Sequence, residues 1–197
     1  FEEFTPSAVP ADDDRTAVIL EFKVIERPII DEIELRGNQF IRRQDILDEI
    51  LIMIGDLGTT SRVRADSELI RALYLERGFP DVDVDGEIER VSDVAAKVVF
   101  TIEEGLQRKV SEIRFSGNSF ASPSTLKRLL ATKEQSLFAS GVFQESKLAE
   151  DIEAIHTYYH NRGYIDAGVV DVVREIEETD KNSNLILTFF IDEGVQY

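Results

Sequence analysis

The residues able to do chemistry in this 197-residue chain are few and unevenly placed. The densest set is Asp81, Asp83, Asp85, Glu87 and Glu89, five carboxylates at alternate positions. That spacing puts all five on one face of a β-strand. Such a row would attract a basic partner or hold calcium weakly. Calcium sites, however, combine carboxylates with carbonyl oxygens in a tight loop, and a flat row lacks that geometry. Glycoside hydrolysis needs two acids held across a sugar-sized cleft, and no such pair stands out. The plain reading is a solvated face that guards a sheet edge against pairing with other chains.

His156 and His160 lie four apart and share one face of a predicted helix. Metal binding would need a third ligand and a supporting shell. The H-E-x-x-H signature is absent, because Thr157, Tyr158 and Tyr159 intervene. A surface or half-buried pair is therefore expected. No G-x-S-x-G phrase supports a serine nucleophile, and Gly37-Asn38 lacks the Gly-rich run and Lys of a phosphate loop. The chain has no cysteine, which excludes disulfides, zinc–thiolate sites and thiol catalysis. The sequence thus predicts no metal, no cofactor and no enzyme, with an acidic hydrolase as the disfavoured reading from another class.

Composition bounds the partners. With 22 basic and 39 acidic residues the net charge is −17, which argues against nucleic acid or an anionic lipid surface as a direct partner. Hydrophobic residues make up 43% of the chain, enough for packed cores. No apolar run approaches the roughly 20 residues of a membrane-spanning helix. The chain opens on Phe1, not Met, and so reads as a mature or excised fragment.

The elements that position these residues recur. Ile33 to Phe40 reads IELRGNQF, and Ile113 to Phe120 reads IRFSGNSF. Tyr74-Leu75-Glu76-Arg77-Gly78-Phe79 returns as Tyr159-His160-Asn161-Arg162-Gly163-Tyr164. Ile102-Glu103-Glu104-Gly105 returns as Ile191-Asp192-Glu193-Gly194. Three landmarks in one order indicate a repeated module with short insertions in its second copy. A partial third copy precedes them: Val24-Ile25-Glu26-Arg27-Pro28 holds the place of the closing phrase, and Phe1 that of Phe79 and Tyr164. The expected boundaries are a partial module over 1–27, containing only its last two strands, and complete modules over 28–106 and 107–197.

Each complete copy reads strand, helix, helix, strand, strand. Ile29 to Arg36 alternates as a half-buried strand. Gly37-Asn38 supplies turn chemistry, and Phe40 and Phe120 are expected to pin that turn to the helices. Ile46, Leu47, Ile50 and Leu51 mark the inner face of a short helix. Leu69, Ile70, Leu73 and Tyr74 mark a longer helix that stops at Gly78. In the second copy Ser122-Pro123 is an N-cap with Pro at the first helical position, followed by Leu126, Leu129 and Leu130. Leu148, Ile152, Ile155 and Tyr159 step at helical spacing. Residues 164–176 and 185–191 then read as a hairpin joined through a polar loop over 177–184. The predicted fold class is α+β: tandem β-α-α-β-β modules, each a three-stranded mixed sheet covered by two helices.

These residues resemble a POTRA domain. The resemblance rests on I-x-[LF]-x-G-N-x-F in the first strand, Y-x-x-R-G-[FY] after the second helix and I-[ED]-E-G at the last strand, and it covers essentially the whole chain. Glu26-Arg27-Pro28, Lys147-Leu148-Ala149-Glu150-Asp151 and the Tyr158-Tyr159-x-x-Arg162-Gly163-Tyr164 phrase are similar to those of the BamA family of outer-membrane assembly proteins. The resemblance implies the tail of POTRA 1, then POTRA 2 and POTRA 3. It also implies a periplasmic, non-enzymatic scaffold that binds unfolded outer-membrane protein clients. Its partners would be assembly-complex lipoproteins and its own C-terminal β-barrel, with no nucleic acid and no direct membrane span. POTRA arrays of two-partner secretion, autotransporter-assembly or division proteins are the alternatives within the fold. The acidity of the chain departs from the family.

By that resemblance the second strand of each module is an exposed edge that binds extended peptides through its backbone. The residues concerned are Ala167, Val169, Val170, Asp171, Val172 and Val173, with Val82 and Val84 in the earlier copy. The competing reading is that these valines simply pack the sheet. Glu26, Arg27 and Pro28, and Glu104, Gly105 and Leu106, are expected as inter-domain hinges, with the second freer than the first because Gly105 replaces Pro28.

Overall fold

A computed structural model describes the backbone of residues 3–10, 18–25 and 27–197; Phe1 and Glu26 lie outside the described residues. Strands β1 (Glu3–Pro10) and β2 (Val18–Ile25) pair antiparallel, with Glu3 opposite Ile25 and Pro10 opposite Val18. Two compact units follow from backbone proximity. One combines Phe1–Ile70 with Val84–Glu103, the other Arg71–Asp83 with Glu104–Tyr197.

The first repeat contributes β3 (Ile29–Arg36), α1 (Arg43–Leu47), α2 (Thr60–Glu76), β4 (Asp83–Arg90) and β5 (Ala95–Glu103). Its sheet has the order β3-β5-β4, with β3 parallel to β5. The second contributes β6 (Arg108–Ser116), α3 (Pro123–Leu129), α4 (Glu145–His160), β7 (Gly168–Glu178) and β8 (Ser183–Asp192). Its order is β6-β8-β7, with β6 parallel and β7 antiparallel to β8. The predicted mixed three-stranded sheets with two helices are therefore present. In each, the last strand in sequence lies in the middle.

The central strands carry the cores. Val98, Val99 and Phe100 of β5, and Leu185, Leu187 and Phe189 of β8, are buried. Ile46, Ile70 and Tyr74 are buried in the first repeat, and Leu126, Leu130, Leu148, Ile155 and Tyr159 in the second. Ser122 caps α3 as predicted, its hydroxyl accepting the Thr125 N–H. Two expectations need correction. Helix α1 ends at Leu47, and Leu51, expected on its inner face, is 64% exposed. The second-copy hairpin is tighter than its polar composition suggested. β7 begins only at Gly168 but runs to Glu178, and Thr179 N–H closes the turn onto Asn182 O at 2.9 Å. Phe120 pins its turn, its ring 4.8 Å from that of Tyr164, and Phe40 stands at the matching turn of the first repeat.

The three sequence landmarks meet in space, which explains their residue types. Gly37 (φ +90) and Gly117 (φ +85) sit on the closing strands, where an added Cβ would overlap the carbonyl oxygens of Ile102 and Ile191. Asn38 and Asn118 donate their side-chain amides to Ile41 O and Ala121 O at 3.1 and 2.8 Å. Tyr74 donates its hydroxyl to Glu104 at 2.8 Å, and Tyr159 to Glu193 at 2.7 Å. Burial, then the neighbouring carboxylate, pushes both phenols above their ordinary range.

Candidate peptide-binding edges

Each outer strand begins from the alternation that buries one face. In β4 and the residue pair before it, Val82 and Val84 point into the core at 3% and 7% exposure, while Asp81, Asp83, Asp85 and Glu87 lie outside. The two valines therefore pack the sheet, as the plainer reading held. Gly86 continues the inner face, and a Cβ there would meet Ser67 Oγ at 2.5 Å, Val63 Cγ1 at 2.7 Å and the Phe100 ring at 3.1 Å. The missing side chain lets β4 lie directly against α2.

The acidic row is largely neutralised by specific partners. Arg108 pairs with Asp81 at 3.0 Å, Arg71 with Asp83 at 2.9 Å, and Lys97 with Glu89 at 2.9 Å. Lys97 also reaches Glu34 at 2.9 Å, and Arg36 lies 2.7 Å from the same carboxylate. Arg36 first, then Lys97, holds the Glu34 carboxyl down at about 2. Arg71 donates a second bond to Val82 O at 2.9 Å, so one main-chain acceptor at the start of this edge is already engaged.

Ala167, just before β7, and Val169 within it form the same inward pair, which faces the core. Its register against β8 then skips a residue: Val169 lies opposite Ile191 and Asp171 opposite Phe190. Val170 is the extra residue of this bulge and is 68% exposed. After it, Val172 turns back against the core opposite Phe189, where Gly86 stands beside Phe100 in the first repeat. Val173 and Ile176 are 37% and 50% exposed. The Asp171 carboxylate accepts the Val172 N–H at 2.8 Å, so this donor points away from β8. The sequence reading grouped the valines correctly but missed the bulge, which has no local signature here.

A groove runs beside each edge. In the first unit about 650 Å³ is enclosed between the start of α2 and the end of β4, with Pro28, Thr59, Val63, Gly86, Ile88 and Arg90 in its walls. In the second unit about 410 Å³ lies among Leu75, Pro80, Phe143, Ile176 and Leu185, with Glu145 and Arg174 at the rim. Glu145 and Arg174 form an ion pair of 2.5 Å linking α4 to β7.

The remaining candidates are dispersed. His156 and His160 lie with tilted rings, centroids 5.9 Å apart, and His156 Nδ1 lies 4.0 Å from Glu153. Among the described residues no cluster of three or more metal-ligating side chains occurs. Glu104 is buried at 8% exposure and bound to Tyr74, Gly105 has φ +67, and Leu106 is half-buried. Two buried carboxylates were missed. Asp66 accepts the N–H groups of Leu51 and Ile52 at 3.0 and 2.9 Å. Asp151 accepts those of Ala131 and Thr132 at 2.5 and 3.3 Å. Both hold the loop that follows the first helix of their repeat. Their equal separation from Tyr74 and Tyr159, eight residues in each copy, was the available signal.

Comparison with known proteins agrees with this architecture. A putative outer membrane protein assembly factor of Treponema pallidum is 41% identical over 199 residues, covering 100% of this chain and 24% of that protein. The outer membrane protein assembly factor BamA of Nitratidesulfovibrio vulgaris is 29% identical, covering 91% of this chain and 23% of its own length. The chain thus spans about a quarter of these relatives. Among solved structures, POTRA3-5 of Haemophilus influenzae BamA superimposes with a TM-score of 0.52 at 20% identity, covering 87% of this chain and 68% of that one. The N-terminal domain of Omp85 from Thermosynechococcus elongatus gives 0.54 at 20% identity, covering 86% and 64%. The family described as POTRA, surface antigen variable number repeat, matches residues 28–105 and 108–194, and the chain belongs to that family.

Proposed function

We propose that this chain is the periplasmic POTRA array of an outer-membrane β-barrel assembly protein, comprising the tail of POTRA 1 followed by POTRA 2 and POTRA 3. It acts as a non-enzymatic scaffold. It receives unfolded outer-membrane proteins by adding their extended strands to the edge β7 and presents further surface to assembly lipoproteins. The observation that carries this reading is an eleven-residue outer strand beside an apolar groove, whose Val172 N–H is held by the Asp171 side chain, a bond an incoming strand could replace. The joints of the array are Arg27-Pro28 and Gly105-Leu106, with more bending at the second; scattering profiles that fit one rigid shape would overturn this.

The test is photocrosslinking of a benzophenone placed at the exposed Glu175 to a urea-diluted outer-membrane β-barrel protein. Val172→Pro removes an outward donor from an edge and is expected to abolish crosslinking while circular dichroism stays unchanged. Asp171→Ala frees the same donor and is expected to raise crosslinking. Unchanged yields in both variants sink the proposal.

A further inference from the structure

The two most exposed large apolar side chains of the described residues are neighbours, Leu137 at 96% and Phe138 at 99%. They occupy the centre of a tight turn, in which Ser136 N–H donates to Ala139 O at 2.9 Å and Phe138 N–H to Ser136 Oγ at 3.3 Å. The stems are fastened to β6: Gln135 N–H donates to Val110 O at 2.8 Å, and Val110 N–H to Gly141 O at 2.7 Å. Gly141 has φ +67, and a Cβ there would meet Gln135 N at 2.5 Å. The tip is therefore held in shape, and both apolar side chains are committed to point outward.

Charge is arranged to leave this tip neutral. The ten residues Gln135–Gln144 contain no ionisable side chain in a chain that is 31% charged. The preceding acid, Glu134, is turned inward, accepting the Ile113 N–H and pairing with Lys127, both at 2.7 Å. Lys133 lies just before the turn with its ammonium folded back onto the carbonyl oxygens of Lys127 and Leu130, and the backbone of Lys109 pairs with Val142 just after it. A neutral apolar tip carried on a fixed turn is the pattern of a shallow membrane-inserting loop.

The geometry points to the Leu137–Phe138 turn as a finger that enters the interfacial layer of a zwitterionic phospholipid bilayer. A protein partner fits less well. Two side chains flanked by Ser136, Ser140 and Gln135 offer about 300–400 Å² of apolar surface, whereas a stable protein interface takes about 800 Å² per partner. Lipid closes around a small protrusion without that requirement. Burial of Leu and Phe alone gives weak, reversible contact, so the finger orients an array anchored elsewhere. The chain's charge of −17 opposes anionic bilayers at a distance. The matching turn of the first repeat is held to Ile30 in the same way and exposes Met53 and Ile54, each 68%, but it carries Asp56 beside them. A charge would have to be dehydrated there.

The chain has no tryptophan, so Phe138→Trp supplies a single fluorescent reporter. With vesicles of phosphatidylcholine and phosphatidylethanolamine its emission is expected to shift to the blue and to be quenched by lipids brominated near the top of the acyl chain. Ile54→Trp is expected to stay in water. In co-sedimentation, Leu137→Ser with Phe138→Ser, which removes nothing packed, is expected to lower vesicle binding at least tenfold. Four results overturn the proposal: no shift with vesicles, an equal shift at Ile54→Trp, vesicle binding unchanged in the double variant, or a lipid-independent shift that grows with protein concentration. The last would assign the tip to contact between copies of this chain.

Discussion

β4 and β7 hold the same place in two copies of one plan, yet they offer an incoming strand different surfaces. β4 is eight residues long, bears alternating carboxylates, has the Val82 carbonyl just before it engaged by Arg71, and lies on α2 through the bare Gly86. β7 is eleven residues long, carries Val172 where Gly86 stands, and exposes Val170, Val173 and Ile176. One inserted residue at Val170 and one glycine account for most of the contrast. The guarded edge is the one that a side chain has vacated and acids cover. The other edge carries a valine at that place and is kinked by a bulge, which limits indiscriminate pairing.

The largest effect should come from exchanging the residues that set this spacing. Gly86→Val drives two methyl groups into Ser67, Val63 and Phe100, and is expected to destabilise the first repeat by about 3 kcal/mol in urea unfolding. Val172→Gly in the second should cost only about 1–2 kcal/mol, because the site is half-buried on an edge. Equal losses would end the comparison. Next come the paired phenols. Tyr74→Phe removes a hydroxyl donor from the buried Glu104 carboxylate and should cost about 2 kcal/mol; Tyr159→Phe removes one from the better-hydrated Glu193 and should cost about 1 kcal/mol. Thermal or denaturant midpoints of the two variants test that order.

Titration gives a subtler contrast. The Glu34 carboxyl sits at about 2 in the folded chain, below its ordinary 4.5, so its contribution is present above pH 4.5 and fades as pH falls toward 2. Glu34→Gln is therefore expected to flatten the acid limb of stability without changing the alkaline limb. On that other limb both buried phenols have raised pKa values. Their contribution holds below pH 10 and is lost as the unfolded chain ionises above it. The smallest effect is expected from Arg174→Ala. Its exposed pair with Glu145 should be worth under about 1 kcal/mol of stability. The same change should nevertheless alter client crosslinking at β7 and leave the β4 edge untouched.

Much of this was legible because the landmarks are made of residues with few substitutes. Gly37 and Gly117 lie under carbonyl oxygens, Asn38 and Asn118 bind backbone, and Tyr74 and Tyr159 have one acceptor each. Such residues mark position even in a single sequence. What escaped lies where ordinary residues act through tertiary context. Asp66 and Asp151 look like any charged helical residue until the loops they bind are folded over them. The bulge at Val170 depends on pairing with β8, and a run of valines reads as a strand with or without it. Leu51 was misplaced because the periodicity continues past the point where α1 stops. The second strand was singled out by resemblance, whereas its bulge, the Asp171–Val172 bond and the groove beside it required the register and the helix position.

The strand order has a kinetic consequence. In both sheets the middle position belongs to the strand synthesised last: β5 separates β3 from β4, and β8 separates β6 from β7. Ile29 waits for Ala95, and Arg108 for Ser183. Until that final segment leaves the ribosome, neither outer strand has its neighbour, and the helices have no sheet to cover. Each repeat is therefore expected to fold in one late step dominated by distant contacts. Before that step its own outer strands are extended segments with both edges unpaired.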